Sequence, residues 1–290
     1  MRLRPMSLRV RILLSSLICM LAALLIQMTL FNASSSRIIS RQTRTINEST
    51  LANLGDDVYA LFKDVENALI SVYDHKDFIR ALGSQDVSAL QRDFASLAYT
   101  MALDSFEPSM RLNALYLYTL SHERICTYRH AQTPIYTYPE DIYDNSMKGS
   151  DEGVREIVAD NPSTMVVTSY YNAKREQRLI RCILRILENG KTPIGYMVCD
   201  LDPKGLVELI RKYRYSEEQA LWLQPVGKQA LVGEAPAEAE TAQIMRTTQE
   251  ALVRSEAASP NGCALYTRQL RKYDLTIFSL LPLSALNANQ

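Results

Sequence analysis

Residues Pro193–Pro203 read PIGYMVCDLDP, and this stretch indicates most directly how the chain is built. The residues from Pro193 to Leu201 are mostly apolar, which predicts a strand. Asp202 carries a side chain that can cap a helix, and proline is favoured at the first helical position. Apolar residues then recur at helical spacing, at Leu206, Leu209, Ile210 and Tyr213. The stretch therefore predicts a strand that leads directly into a helix.

Two further strands are predicted upstream of this stretch, with polar turns between them. Thr164–Tyr171 is rich in Val, Thr and Tyr, and Arg178–Leu187 follows it after a turn at Lys174–Glu176. A second turn at Glu188–Gly190 leads into Pro193–Leu201. Adjacent strands joined by such short turns must run antiparallel. The three segments therefore predict an antiparallel meander.

The residues before the meander add two strands and a long loop. Alternate residues of the segment 112–120 share one face of a predicted strand, namely Leu112, Ala114, Tyr116, Tyr118 and Leu120. Arg124–His130 returns as a second strand after the turn Ser121–Glu123. Thr133–Asp160 is loop-like because it contains prolines and glycines, and it includes one short helix near 151–159. Together these segments form a larger antiparallel α+β module.

The residues after the linking helix repeat the same theme on a smaller scale. Ala220–Gln224 and Gln229–Val232 form a predicted hairpin around Gly227. A polar helix rich in Ala and Glu follows at Ala235–Glu256, and two strands come last, at Ala264–Leu270 and Leu275–Leu281. The order of elements predicts an α+β fold with two antiparallel lobes.

A long helix is predicted over residues 47–73, ahead of the larger module. Its apolar residues alternate spacings of three and four over about three heptads, at Leu51, Leu54, Val58, Leu61, Val65, Ala68 and Val72. Such a stripe either packs onto the rest of the domain or pairs with a second copy of the chain. A second helix is predicted over Asp86–Leu103, where Asp86 can serve as the N-cap and Pro108 lies beyond the end.

The N-terminal end of the chain contains an uncharged run of 20 residues, Ile12–Phe31. A helix of this length can cross the roughly 30 Å hydrocarbon core of a membrane. Four arginines precede the run without an acidic residue, at Arg2, Arg4, Arg9 and Arg11, which places the N-terminus in the cytoplasm. Three alternatives remain open: a signal peptide cleaved near Ala33–Ser35, a lipoprotein modified at Cys19, or a buried core helix.

Composition excludes several functional classes. Lys+Arg and Asp+Glu both number 32, so the chain lacks the basic excess of a nucleic-acid-binding protein. The sequence contains none of the usual nucleotide-binding, nucleophilic or zinc-protease motifs, and we expect neither an enzyme nor a cofactor. Three histidines and five cysteines show no metal-like spacing, so we expect no metal site. The four cysteines outside the apolar run are Cys126, Cys182, Cys199 and Cys263. Either all four are small buried residues with free thiols, or two of them form one disulfide, for instance Cys182 with Cys199.

The order of elements resembles the double Cache sensor domain, which carries two stacked PAS-like lobes outside the membrane. GYMVCDLDP at Gly195–Pro203, followed by Leu206 and Leu209, resembles the strand of this family that enters the linking helix. Tyr273–Leu286 resembles its exit towards a second membrane span. The resemblance implies the extracytoplasmic part of a chemoreceptor, or of a sensor histidine kinase that partners an AraC-type response regulator.

The resemblance also implies boundaries for the parts of the chain. A cytoplasmic end (1–11) and a transmembrane helix (12–31) come first, and a long signalling helix (32–80) follows. The membrane-distal lobe (81–202), the linking helix (203–215), the membrane-proximal lobe (216–282) and the start of an exit helix (283–290) complete the chain. We therefore expect a cell-membrane protein whose bulk is extracytoplasmic.

A ligand site is expected in the distal lobe, between the sheet and the loop 131–160 that covers it. Arg181 and Arg185 alternate with apolar residues on one strand, and an inward-facing arginine is costly unless a carboxylate of the protein or of a ligand pairs with it. Both arginines are therefore candidate anion contacts, with the alternative that both face water. The other candidate ligand-binding residues are Tyr116, Tyr118, Tyr136, Tyr138, Tyr170 and Asp200.

The sequence departs from the pattern of one subfamily of double Cache domains. Amino-acid-binding double Cache domains carry a Tyr/Arg/Trp/Tyr/Asp set around the third strand, whereas Trp222 lies in the smaller lobe here, which puts amino-acid sensing in doubt. We expect a sensor that binds a small molecule directly or detects it through a solute-binding protein. We also expect this sensor to be a membrane-bound homodimer that does not bind nucleic acid. The alternative is an anchored structural or assembly protein of the cell envelope without a small ligand.

Overall fold

The computed structural model describes residues 8–104, 112–120, 124–129, 154, 157–158, 164–172, 177–225, 231–233 and 263–282. The chain divides into two compact units, Met1–Ser49 and Thr50–Gln290. The predicted polar helix at Ala235–Glu256, the exit helix at 283–290 and most of the loop 131–160 lie outside the described residues.

The first helix, α1, extends over Leu8–Ile70 and is followed by a 3-10 turn at Ser71–Asp74. The predicted heptad stripe lies on the part of α1 and the turn that belongs to the second unit, and six of its seven residues are buried. Leu61 is partly buried and packs against the same core. The stripe therefore packs onto the domain as one alternative predicted, whereas pairing with a second copy stays a prediction.

Two shorter helices follow α1. Helix α2, Lys76–Gly83, was not predicted, and it buries Phe78 and Leu82. Helix α3 extends over Val87–Asp104, and the Ala89 amide donates a hydrogen bond of 3.1 Å to the Asp86 carboxylate, which confirms the predicted N-cap. The ring of Phe78 stacks on that of Phe94, with centroids 6.4 Å apart, and this contact joins α2 to α3.

The larger sheet contains five strands: β1 (Leu112–Tyr118), β2 (Arg124–Arg129), β3 (Met165–Asn172), β4 (Gln177–Glu188) and β5 (Thr192–Leu201). Their spatial order is β2-β1-β5-β4-β3, and every neighbouring pair is antiparallel. This arrangement confirms the predicted meander of β3, β4 and β5. Strand β1 pairs with β5, so the centre of the sheet brings together residues far apart in the sequence.

The linking helix and three strands of the smaller sheet also agree with the prediction. The predicted strand Gln229–Val232 lies partly outside the described residues, and the strand found there is Val232–Gly233. Helix α4 is Lys204–Lys212, and the Lys204 amide donates a hydrogen bond of 2.9 Å to the Asp202 carboxylate. The smaller sheet contains β6 (Ala220–Pro225), β7 (Val232–Gly233), β8 (Cys263–Leu270) and β9 (Leu275–Pro282), in the order β7-β6-β9-β8.

The two faces of the larger sheet have different roles. One face packs against the helices in a core that also includes residues of the smaller sheet, such as Leu223 and Ile277. The opposite face forms a separate cluster that contains Tyr116, Tyr118 and Val198, and Val154 and Val158 of the covering segment pack on it. Leu112 was predicted to share this second face, but a register irregularity between Leu112 and Ala114 places it in the helix-facing core.

Gly195 shows why the motif at the start of β5 contains a glycine. A Cβ atom at this position would lie 2.7 Å from the backbone oxygen of Tyr118 and 3.1 Å from the Leu82 side chain. Such a contact is too close for any side chain, so strand β1 can approach β5 here only because residue 195 is glycine.

In the part of the chain that the structure describes, no helix is long and apolar enough to cross a membrane. The predicted transmembrane helix at 12–31 is therefore not confirmed.

Candidate ligand-binding site

The second face of the larger sheet brings together six of the eight predicted site residues. The strand register places Arg181 opposite Asp200, Arg185 opposite Tyr196, and Tyr196 opposite Tyr118. Tyr116 and Tyr170 lie on the same face, opposite Val198 and Leu179 respectively. Tyr136 and Tyr138 lie outside the described residues.

Arg181 and Asp200 form a bidentate ion pair at the centre of this face. The Arg181 Nε and Nη2 atoms donate hydrogen bonds of 2.7 Å each to the two carboxylate oxygens of Asp200. The side chains are 3% and 0% exposed respectively, so water does not solvate the pair. The alternative that Arg181 faces water is therefore wrong, and the carboxylate that compensates its charge belongs to the protein.

Two tyrosines flank the Arg181 guanidinium. Its central carbon lies 3.6 Å from the centre of the Tyr170 ring and 5.8 Å from that of Tyr116. The Tyr116 ring is in turn 6.5 Å from the Tyr118 ring. A cation over an aromatic face is attracted by the ring quadrupole, and the attraction increases when water is excluded. The tyrosines thus hold the guanidinium in place on the side that Asp200 leaves open.

The charge of Arg181 persists in this environment. Burial acts to lower the pKa of Arg181, but the Asp200 carboxylate and its hydrogen bonds, with Tyr116 and Tyr118 nearby, raise the pKa above its ordinary value overall. Arg181 is therefore a fixed cation bound to Asp200 and not an acid ready to release a proton.

Arg185 has a different role from Arg181. It is partly buried, and its Nη2 atom donates a hydrogen bond of 3.0 Å to the backbone oxygen of Val158. Val158 and Val154 pack on the sheet, so this hydrogen bond fastens the covering segment to the strand beneath it. Arg185 therefore positions the cover over the face that Arg181 and the tyrosines form.

Sequence reasoning missed two residues of this face, Thr168 and Tyr196. Thr168 pairs with Arg181 in the strand register and is buried, and Tyr196 is buried between Tyr118 and Arg185. The signal was present, because alternation along β5 puts Tyr196 and Asp200 on one side. Applied to β3, the same alternation puts Thr168 beside Tyr170.

The side chains of this face combine hydroxyl groups, aromatic rings and one buried ion pair. Hydroxyl groups of tyrosine and threonine, flat aromatic rings and a neutralised ion pair can hydrogen-bond and stack with a small polar molecule. Among the described residues, no group of three or more His, Cys, Asp or Glu side chains could hold a metal ion.

A cleft lies between the 3-10 turn, the start of α2 and helix α3. It is an open cleft of about 560 Å³ whose lining includes Asp74, His75, Asp77, Arg92 and Asp93. Acidic and basic side chains alternate along it, and Asp77 already forms an ion pair of 2.7 Å with the exposed Arg80. The cleft is thus a solvated, mixed-charge surface, unlike the enclosed face of the larger sheet.

No protein-family model matches this sequence, and no curated protein matches it. Solved structures do match. The extracellular domain of the histidine kinase rpHK1S-Z16 is 13% identical and has a TM-score of 0.52, and the match covers 84% of this chain and 98% of that one. The ligand-binding domain of the Pseudomonas fluorescens chemoreceptor CtaA, in complex with L-isoleucine, is 17% identical with a TM-score of 0.43, and covers 86% and 99%.

A third solved structure extends the comparison to another kinase. The sensor domain of the V. cholerae histidine kinase DctB is 11% identical with a TM-score of 0.45, and the match covers 83% of this chain and 98% of that one. At these identities the likeness concerns the fold. The helices and two antiparallel sheets of this chain have the double Cache fold, in agreement with the likeness to the extracellular domain of rpHK1S-Z16.

Proposed function

We propose that this chain is the extracytoplasmic ligand-sensing part of a transmembrane receptor of the sensor histidine kinase type. A small molecule binds on the second face of the larger sheet, beneath the covering segment around Val154 and Val158. The observation that carries the proposal is the Arg181–Asp200 pair, buried on that face and flanked by Tyr170 and Tyr116.

The energetics of this pair favour a role in recognition over a role in stability. Removing two charges from water costs about as much as their attraction returns, so a buried ion pair is rarely a net source of stability. The opposite face of the same sheet packs apolar residues such as Leu115, Leu184 and Met197 against the helices. A charged pair kept among tyrosines is therefore better explained by what it can contact.

The proposal includes an anchor and an assembly state. Large apolar side chains between Leu17 and Phe31 are at least 52% exposed along α1, which supports a role for this segment within a membrane. The N-terminus is then cytoplasmic, the bulk of the chain is outside, and the receptor acts as a homodimer. A ligand alters signalling only by binding one arrangement of the domain more tightly than another.

The test is a binding screen on the chain purified in detergent, against sugars, organic acids, amino acids and polyamines. A ligand that binds the folded state raises the unfolding midpoint by mass action. For any compound that binds, Tyr170→Leu should weaken binding at least about tenfold, or ~1.4 kcal/mol. Tyr171→Leu is the matched control, since Tyr171 is 56% exposed and alternates to the other side of β3. Equal affinity of the two variants would remove the site from this face.

The alternative function is an anchored structural or assembly protein of the envelope without a small ligand. It is supported if no chemical class shifts the midpoint, and if the same is true in the presence of candidate solute-binding proteins. A saturable shift with one class would exclude it.

A further inference from the structure

Cys182 and Cys199 lie directly opposite each other on the two central strands β4 and β5. Both side chains are 0% exposed, and the structure holds them as free thiols. The neighbouring Cys199 thiol, together with burial, raises the pKa of Cys182, as expected for two thiols that lie side by side. From the sequence this pair was one example of a possible bridge, and the strand register now places the two residues opposite each other.

The backbone geometry suits a covalent bond. The Arg185 amide donates to the backbone oxygen of Thr164, the residue just before β3, so by alternation Cys182 directs its backbone hydrogen bonds towards β5. Opposed residues of this kind have Cα atoms about 5.5 Å apart, within the range of roughly 4.4–6.8 Å that a disulfide spans. Their side chains point to the same face of the sheet. A bond between the sulfurs therefore needs no change in strand register.

We propose that Cys182 and Cys199 form a disulfide when the chain folds outside the membrane. The inference rests on the extracytoplasmic location put forward under the proposed function, because disulfides persist in oxidising compartments. The two thiols lose two protons and two electrons, and the oxidant is a disulfide of a thiol–disulfide exchange partner. One cysteine thiolate attacks that disulfide to give a mixed disulfide. The second cysteine thiolate then attacks the first cysteine sulfur, and the partner leaves as a dithiol.

The exchange takes place before the sheet is covered. The two strands are joined by a tight turn at Asn189–Lys191, so they meet as a local hairpin early in folding. Once the helices pack over the pair, both thiols are out of reach of solvent, and the neighbouring Cys199 thiol and burial raise the pKa of Cys182. The same burial protects the finished bond against external reductants.

The position of the bond links it to the candidate site. Arg181 pairs with Asp200, and the next pair along the two strands is Cys182 with Cys199. The disulfide therefore lies directly next to the buried ion pair, but on the helix-facing side of the sheet. A covalent link between β4 and β5 fixes the register on which the Arg181–Asp200 hydrogen bonds depend. The residues of the ligand face are thereby ordered before the ligand binds, so that the binding free energy is not reduced by the cost of ordering them.

The experiment examines the full chain, exported in cells and denatured without reductant in the presence of a thiol-alkylating reagent. Peptide mass spectrometry should find Cys182 and Cys199 unmodified and joined, with the mass of two hydrogens missing. In Cys182→Ala the Cys199 thiol should become alkylated, and the reverse should hold in Cys199→Ala. Cys263→Ala is the control and should leave the cross-link intact. Alkylation of both cysteines in the unreduced parent chain would overturn the proposal.

A second measurement separates this inference from the location on which it rests. Purified chain, reduced and denatured, is refolded with oxidised glutathione, which supplies the oxidant whatever the native compartment. The cross-link should form, and reductant should then lower the unfolding midpoint by about 5–10 °C. The Cys182→Ala/Cys199→Ala chain should show no such shift. If no cross-link forms in this refolding, the pairing itself is overturned. If the cross-link forms here but not in cells, and the chain is labelled from the cytoplasmic side only, the proposed location is rejected and with it the disulfide in the cell.

Discussion

Glu66 of the long helix α1 accepts a hydrogen bond of 3.1 Å from the hydroxyl of Tyr273, which lies in the 3-10 turn Arg271–Tyr273 between β8 and β9. The ammonium of Lys272 bonds to the same carboxylate oxygen. Glu66 is buried, and the rings of Tyr59 and Phe62 each lie 5.7 Å from the Tyr273 ring. The turn between β8 and β9 is thus attached to α1 by charge, hydrogen bonding and aromatic packing together. A movement of α1 along its axis must carry this turn with it or break the attachment.

Removing the charge of Glu66 should loosen this attachment. Glu66→Gln keeps the shape of the side chain but leaves Lys272 without its buried anionic partner. We expect the free energy of unfolding to fall by about 1–3 kcal/mol, as is usual when a charged hydrogen-bond partner is lost. Urea denaturation measures the change. Asp64→Asn, on the exposed side of the same helix, is the control and should change stability by less than about 0.5 kcal/mol. A similar loss in both variants would contradict the role of Glu66.

Tyr273 should make the domain sensitive to alkaline pH. Burial, the charge and hydrogen bond of Glu66, and Tyr59 raise the pKa of Tyr273 above its ordinary value of 10.0. Below pH 10 the phenol is neutral in both states, so its contribution is fully present there. Above pH 10 the unfolded chain releases the proton while the folded chain keeps it, and stability falls as pH rises towards the folded pKa.

Tyr273→Phe provides the check on this pH dependence. The phenylalanine cannot ionise, so the part of the alkaline slope that Tyr273 contributes should disappear. Unfolding midpoints recorded from pH 8 to pH 11 should therefore decline less steeply for the variant than for the parent chain. Parallel profiles for the two proteins would show that Tyr273 does not titrate on unfolding.

Breaking the Arg181–Asp200 pair should cost far more than replacing it. Asp200→Asn leaves a buried guanidinium without its anion, and we expect a loss of about 3–5 kcal/mol or failure to fold. In Arg181→Met/Asp200→Leu both charges are removed, and stability should return to within about 1–2 kcal/mol of the parent chain. Chemical denaturation of the double variant and of Arg181→Met alone completes the cycle. A double variant as unstable as the single ones would mean that the pair is needed for folding, and would weaken its assignment to ligand recognition.

Gly195 should tolerate no side chain. Gly195→Ala places a methyl group 2.7 Å from the Tyr118 backbone oxygen, and the strands can make room only by distorting the pairing of β1 with β5. We expect a loss of about 1–3 kcal/mol, the usual cost of overpacking. Gly83→Ala is the control, because its nearest new contact is 3.8 Å away, at the Glu188 carboxylate. Thermal unfolding of both variants measures the difference.

Most helices and strands could be predicted because alternation, helical spacing and capping each depend only on residues that are close together in the sequence. Alternation in Arg178–Leu187 predicted a strand, and Asp86 marked the start of a helix at the position where its carboxylate accepts the Ala89 amide. Helix α2 could not be predicted in the same way. It has eight residues and buries only Phe78 and Leu82, which is too short a pattern to display a helical period.

Sequence by itself determined the strands of the antiparallel meander, the helices α3 and α4, and the residues that share each face of β4 and β5. That information placed Arg181, Ile183 and Arg185 on one side of β4, but it left open whether the arginines meet water, a ligand or the protein. Only the tertiary structure decided that Arg181 meets Asp200, because the answer depends on the register between β4 and β5 and on the cover above them. The same register set Cys182 opposite Cys199. Periodicity is a property of a single segment, whereas a charge or thiol finds its partner only when separate segments pack together.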